Sequence, residues 1–131
     1  MSDATTIVPL KGIRGVIARS LTAAWQAPRV AQGLDVDMSA VLARVKTERA
    51  ATGTKISITH AVLRAVALTL REHPAVNGTV SDQAVEHWTD VNLGVAVNTP
   101  VGVVVPVLMQ ADAFNLGELE QRVGALADSA R

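Results

Sequence analysis

Between Val91 and Asn98 the chain alternates without a break. Val91, Leu93, Val95 and Val97 are interleaved with Asn92, Gly94, Ala96 and Asn98. Successive side chains of a strand point to opposite faces, so this pattern specifies a half-buried strand. Thr99-Pro100-Val101-Gly102 then supplies turn chemistry. Val103, Val104, Val105, Val107 and Leu108 follow as a near-continuous apolar run, which reads as a second strand covered on both faces. Pro106 has no N–H to give to a ladder, so an end or a bulge is expected there.

The first two-thirds of the chain carry a different period. Ile13, Ile17, Leu21 and Ala24/Trp25 recur at helical spacing from about Gly12 to Gln26, and Pro28 stops that helix. Val30, Leu34 and Val36 predict a short strand over Val30–Asp37. Asp37 or Ser39 can cap a second helix that turns Val41, Leu42 and Val45 inward and ends at Gly53. Ser57 or Thr59 can cap a third, from about Ile58 to His73, with Val62, Ala65, Val66 and Leu70 as its apolar face. Pro74 terminates it. Asn115 and Glu118 form a capping-box pattern for a last helix with Leu116, Leu119, Val123 and Leu126 inward. The order helix, strand, two helices, hairpin, helix predicts a mixed α/β layer rather than regular βαβ repetition.

Composition narrows the function. At 131 residues the chain is one domain or part of one. Twelve basic and twelve acidic residues balance, which gives no electrostatic footprint for nucleic acid. Without cysteine there is no disulfide framework, thiol catalysis or Cys-based zinc site. Met1–Leu10 has no basic stretch leading into an apolar one, and Val101–Met109 is too short to cross a bilayer. A soluble cytoplasmic protein without a membrane partner is the expectation.

Familiar catalytic motifs are absent: there is no phosphate loop, dinucleotide glycine fingerprint or G-x-S-x-G elbow. His60, His73 and His87 stand at no metal-binding spacing, so no metal is expected. His73 suits the end of a helix, where the dipole favours a cation, and His87 suits an exposed strand edge. Asp35 and Asp37 share one face of the predicted strand, which a carboxylate pair or a simple helix cap would explain. Arg44, Lys46 and Arg49 suit an anionic ligand or a solvated helix face.

The order of short motifs says more than any one of them. Ile13-Arg14-x-x-Ile17-Ala18-Arg19-x-Leu21 precedes Pro28 and Val36-Asp37-Met38. Lys55-Ile56-Ser57 and His73-Pro74-x-x-Asn77 come next. Asn92-Leu93-Gly94-Val95-Ala96-Val97-Asn98-Thr99-Pro100-x-Gly102, Val105-Pro106-Val107 and Leu126-Ala127-x-x-Ala130-Arg131 complete the series. From about Leu10 to Arg131 the chain resembles the catalytic domain of the dihydrolipoamide acyltransferases, the core components of 2-oxo acid dehydrogenase complexes. The resemblance covers about the first half of that domain. The family's Gly-Thr-Phe-Thr stretch and its His-Arg-x-x-Asp-Gly catalytic motif do not occur here, nor do the lipoyl and subunit-binding domains.

The resemblance implies a mixed-sheet, two-layer fold like that of chloramphenicol acetyltransferase, assembled as homotrimers that build a larger core. It implies acyl transfer between dihydrolipoamide and coenzyme A, with the lipoyl group carried on another domain and dehydrogenase components as partners. A His outside this chain would deprotonate the thiol, and a hydroxyl would stabilise the oxyanion. No catalytic residue is assigned within the 131 residues. Ser57 and Asn98 match positions that contact coenzyme A, and Lys46 adjoins one where the family often has a basic contact but this chain has Val45. Pro28-Arg29 replaces the family's usual Pro-His. Ser57 could equally be a helix cap only, and Asn98 could satisfy turn backbone only. A non-catalytic assembly or scaffold module with the same half-fold is the alternative reading.

Overall fold

The computed structural model describes residues 5–81, 83–100 and 102–130. Expectations that rest on the extreme N-terminus, on Val101 or on Arg131 lie outside the described residues. The chain divides into two units, one up to Val36 and one from Asp37 onward.

Among its described residues the first unit holds one helix, α1 (Gly12–Ala24). Its apolar residues Ile13, Leu21 and Trp25 are exposed, so its stripe has no core of its own to enter. Arg29 closes the helix end. Its guanidinium donates to the Ala24 carbonyl at 3.1 Å and stacks 4.0 Å from the centre of the Trp25 ring. The strand expected over Val30–Asp37 does not form. Val30 is 98% exposed and Leu34 84%, and an alternating run without a partner strand has no ladder to join.

The second unit begins with α2 (Ser39–Thr52) and α3 (Ile58–Glu72). The Asp37 carboxylate accepts the Ser39 N–H at 2.8 Å and so satisfies a free donor at the start of α2. Gly53 ends α2 in the left-handed region, φ +66°, with its N–H on the Arg49 carbonyl. The inward face of α3 differs from the expected one. Ala67 is fully buried, with Leu63 and Leu70 packed beside it, whereas Val62, Ala65 and Val66 face outward. A helix apolar nearly all round does not declare which stripe is the core.

After a short 3-10 turn at Pro74–Val76 comes a hairpin that the periodicity did not reveal, β1 (Gly78–Val80) with β2 (Val85–His87). Asn77 fastens it. Its side-chain amide donates to the carbonyls of Trp88 and Asp90, at 2.9 and 3.1 Å. The Trp88 indole N–H donates to the Thr79 hydroxyl at 3.0 Å.

The alternating run forms its hairpin as β3 (Leu93–Gly94), β4 (Val97–Thr99), β5 (Gly102–Val104) and β6 (Val107–Leu108). Leu93 pairs with Leu108, Val97 with Val104 and Thr99 with Gly102, one antiparallel register throughout. Val95 gives its N–H to Pro106, and Pro106 cannot return one, so the ladder breaks there. Val91, Leu93, Val97 and Thr99 are buried and their neighbours exposed, as the alternation predicts. The second strand departs from expectation: Val103, Val105 and Val107 lie open on the outer face.

Asn115 opens α4 (Leu116–Ser129). The Glu118 N–H donates to the Asn115 side chain at 3.0 Å, and the Glu118 carboxylate accepts the Asn115 N–H at 2.8 Å. The core of this unit is Ala67, Val91, Leu93, Leu108, Ala111 and Leu119: α3 and α4 packed against the inner face of the hairpin. The architecture is mixed α/β, with four helices and antiparallel pairings among the described residues in place of the expected mixed sheet.

Candidate functional site

The connection from α2 to α3 creates a cleft. Gly53 turns the chain out of α2, Ile56 is buried at 1% exposure, and Ser57 starts α3. The anchored crossing leaves an open concavity of about 800 Å³ between the two helices. Leu42, Val45, Lys46, Arg49 and Ala50 form one wall, at the three- and four-residue spacing of a single helix face. Ser57 and Ile58 form the other. The floor is apolar, and the charged lining residues are both cations.

Ser57 is half-buried and held by its neighbour one turn on. Its N–H donates to His60 Nδ1 at 2.9 Å, and its Oγ lies 3.1 Å from the same nitrogen. His60 thus fills the place that Glu or Gln takes in the usual capping box. The Nδ1 must be unprotonated to accept, so the neutral ring carries its hydrogen on Nε2. Burial pushes the His60 pKa below its ordinary value, against an opposing pull from Glu120. Ser57 is therefore a cap whatever else it contacts.

Lys46 and Ser57 come together in this cleft. Asn98 does not join them. It is exposed on the outer face of the hairpin, opposite Val103, and is not among the cleft's lining residues. The Asp35–Asp37 pair is not formed as expected, because the strand that would align the two is missing. Asp37 serves as a cap, and hydrogen bonds from the Ser39 side chain and then its backbone hold its carboxyl below the usual range. His73 follows α3 with its N–H on the Thr69 carbonyl, and His87 sits on exposed β2. Among the described residues no cluster of three metal-ligating side chains occurs, and no helix is long and apolar enough to cross a membrane. Two residues that the sequence reading named only in passing, Arg49 among three basic groups and His60 among three histidines, are joined to this site by the structure. Arg49 stands one turn from Lys46 on the same wall, and His60 stands three residues from Ser57; both spacings were visible in the sequence.

The 2-oxoacid dehydrogenases acyltransferase family, in its catalytic domain, matches residues 2–131. The mouse pyruvate dehydrogenase protein X component is 32% identical over 96% of this chain and 25% of its own length. The acetyltransferase component of the acetoin cleaving system of Bacillus subtilis is 35% identical over 95% of this chain and 32% of its own. The solved dihydrolipoamide acetyltransferase of Azotobacter vinelandii superposes with a TM-score of 0.87 at 29% identity, over 97% of this chain and 55% of that one. The cubic core of the pyruvate dehydrogenase multienzyme complex gives 0.88 at 29%, over 97% and 55%. The chain thus spans about a quarter to a third of these curated relatives and just over half of these solved chains. With the family match running over nearly all of its residues and the fold agreeing, the chain belongs to the 2-oxoacid dehydrogenase acyltransferases and corresponds to part of their catalytic domain.

Proposed function

We propose that this chain contributes part of an acyltransferase that moves an acyl group between dihydrolipoamide and coenzyme A in a 2-oxo acid dehydrogenase complex. The observation that carries this is the family match over residues 2–131, supported by the structural agreement with acetyltransferase cores. The α2–α3 cleft is the coenzyme A wall, with Lys46 and Ser57 on it. Asn98 acts from the hairpin's outer face, on a separate part of the same ligand path. The domain to which this chain contributes has the mixed-sheet, two-layer fold of the chloramphenicol acetyltransferase type. The subunits are homotrimers within a larger core, served by lipoyl domains and dehydrogenase components, in the cytoplasm.

The general base is not in this sequence. His60 Nδ1 is committed to Ser57, and His73 and His87 lie outside the cleft lining. The chain by itself is thus inactive, which also favours the second reading, a scaffold module of the same fold. The test has two parts. Acyl transfer from acetyl-coenzyme A to dihydrolipoamide should stay at background with this chain alone, since losing a general base costs about 10²–10⁴-fold. Coenzyme A should nevertheless bind, and Lys46→Gln and Asn98→Ala should each weaken it. Turnover by the isolated chain contradicts the assignment of the base elsewhere. Failure of coenzyme A to bind favours the scaffold.

A further inference from the structure

A capping box needs its third helical side chain to accept the N–H of the cap residue. Glu or Gln in that place stays an acceptor throughout the neutral range. In α3 the place belongs to His60. Its Nδ1 takes the Ser57 N–H at 2.9 Å through the one lone pair of that nitrogen, with Ser57 Oγ at 3.1 Å. Histidine is the side chain whose ordinary titration falls between about pH 5 and 8. A proton on Nδ1 occupies the lone pair and sets an N–H against the Ser57 N–H, so the contact turns repulsive.

The charges on the elements packed against α3 differ in what they offer an imidazolium. On α2, Arg44 and Glu48 pair with each other, and Lys46 and Arg49 are cations. Asp112, in the 3-10 turn Ala111–Ala113, faces Arg71 at 3.8 Å and gives its carbonyl to Arg64. The turn Pro74–Val76 carries no charge. On α4, Glu118 is held by the Asn115 N–H and Arg122 stacks on Phe114, whereas Glu120 is the carboxylate that acts on the His60 ring.

We propose that His60 is a proton-operated latch at the start of α3. Neutral, it closes the capping box on Ser57; protonated, it leaves Ser57 and swings to Glu120. A cap within α3 is thereby exchanged for an ion pair between α3 and α4, and the Ser57 N–H is released. The exchange lies on the acid side of the ordinary histidine range, because burial disfavours the imidazolium more than Glu120 favours it. The latch works whatever the α2–α3 cleft binds, so it stands apart from the coenzyme A reading.

A nuclear magnetic resonance titration of the isotopically labelled protein from about pH 8 to about pH 5 tests this. At the alkaline end the His60 ring nitrogens should report a hydrogen on Nε2 alone. As the ring protonates, the Ser57 amide proton should lose its hydrogen-bonded shift with the same midpoint, and the Glu120 carboxyl carbon should respond there too. Glu120→Gln should move the His60 midpoint further toward acid and leave the Ser57 response tied to it. His60→Gln, which supplies an acceptor that does not titrate, should hold the Ser57 amide in its bonded position across the range. A Ser57 amide that stays in place while the His60 ring protonates, or that follows another midpoint, overturns the latch. A His60 midpoint indifferent to Glu120→Gln overturns it as well.

Discussion

Asn77 extends the β1–β2 ladder beyond its last pair, accepting the Trp88 N–H on its carbonyl and using one side-chain amide to hold the carbonyls of Trp88 and Asp90. Asn77→Ala should lower stability by about 1–2 kcal/mol in chemical denaturation, since each neutral hydrogen bond is worth about 0.5–1.5. His60 makes a prediction of opposite character, in pH. Its folded-state pKa lies below the ordinary value, so the unfolded chain binds the proton more readily. Stability is therefore present above about pH 6.5 and declines as pH falls through that value toward the lower folded one. His60→Gln should flatten the decline, as read from melting temperature against pH; an unchanged slope would show that His60 is not the group responsible. At this scale the sequence was partly legible. Ser57 could be read as a cap because cap preference is local, as could the Asn115–Glu118 box. The outward face of Asn98 was equally legible, since alternation assigns faces. That Asn98 lies outside the Lys46–Ser57 cleft was not, because spacing carries no information on where a hairpin face meets a helix pair.

The secondary-structure elements were legible in proportion to how one-sided their patterns are. The alternating run gave the buried face of the hairpin residue by residue, and Leu119, Val123 and Leu126 gave that of α4. For α3 the pattern placed Leu70 correctly but missed Leu63 and Ala67, because Val62 and Val66 are as apolar as Leu63 and only packing chooses between them. Val30, Leu34 and Val36 read as a strand on local pattern alone, but a strand requires a partner. Two substitutions probe the element ends. Gly53→Ala forces a Cβ into the left-handed region and should cost about 1–2 kcal/mol, measured by urea unfolding. Asn115→Ala removes a reciprocal cap and should cost about 0.5–2 kcal/mol by the same measurement.

On the scale of the molecule, the apolar surface is the feature that most needs a partner. Val103, Val105, Val107 and Met109 lie exposed along the second strand of the hairpin and its end, and Val62 and Val66 on α3. Exposed apolar residues gathered this way mark association surfaces. Light scattering should therefore show species heavier than 13.7 kDa, and a monodisperse monomer of that mass would contradict the expectation. The family was readable from motif order because seven weak signals in sequence constrain more than any one of them. The cleft was not, because it arises from the anchoring of Ile56 between two helices. The central claim is that this cleft receives coenzyme A, and the most direct test is an amide chemical-shift map of the labelled protein titrated with coenzyme A. The account predicts that Lys46, Arg49, Ser57 and Ile58 shift together and saturably; saturable shifts confined to other parts of the chain, or none at all, would contradict it.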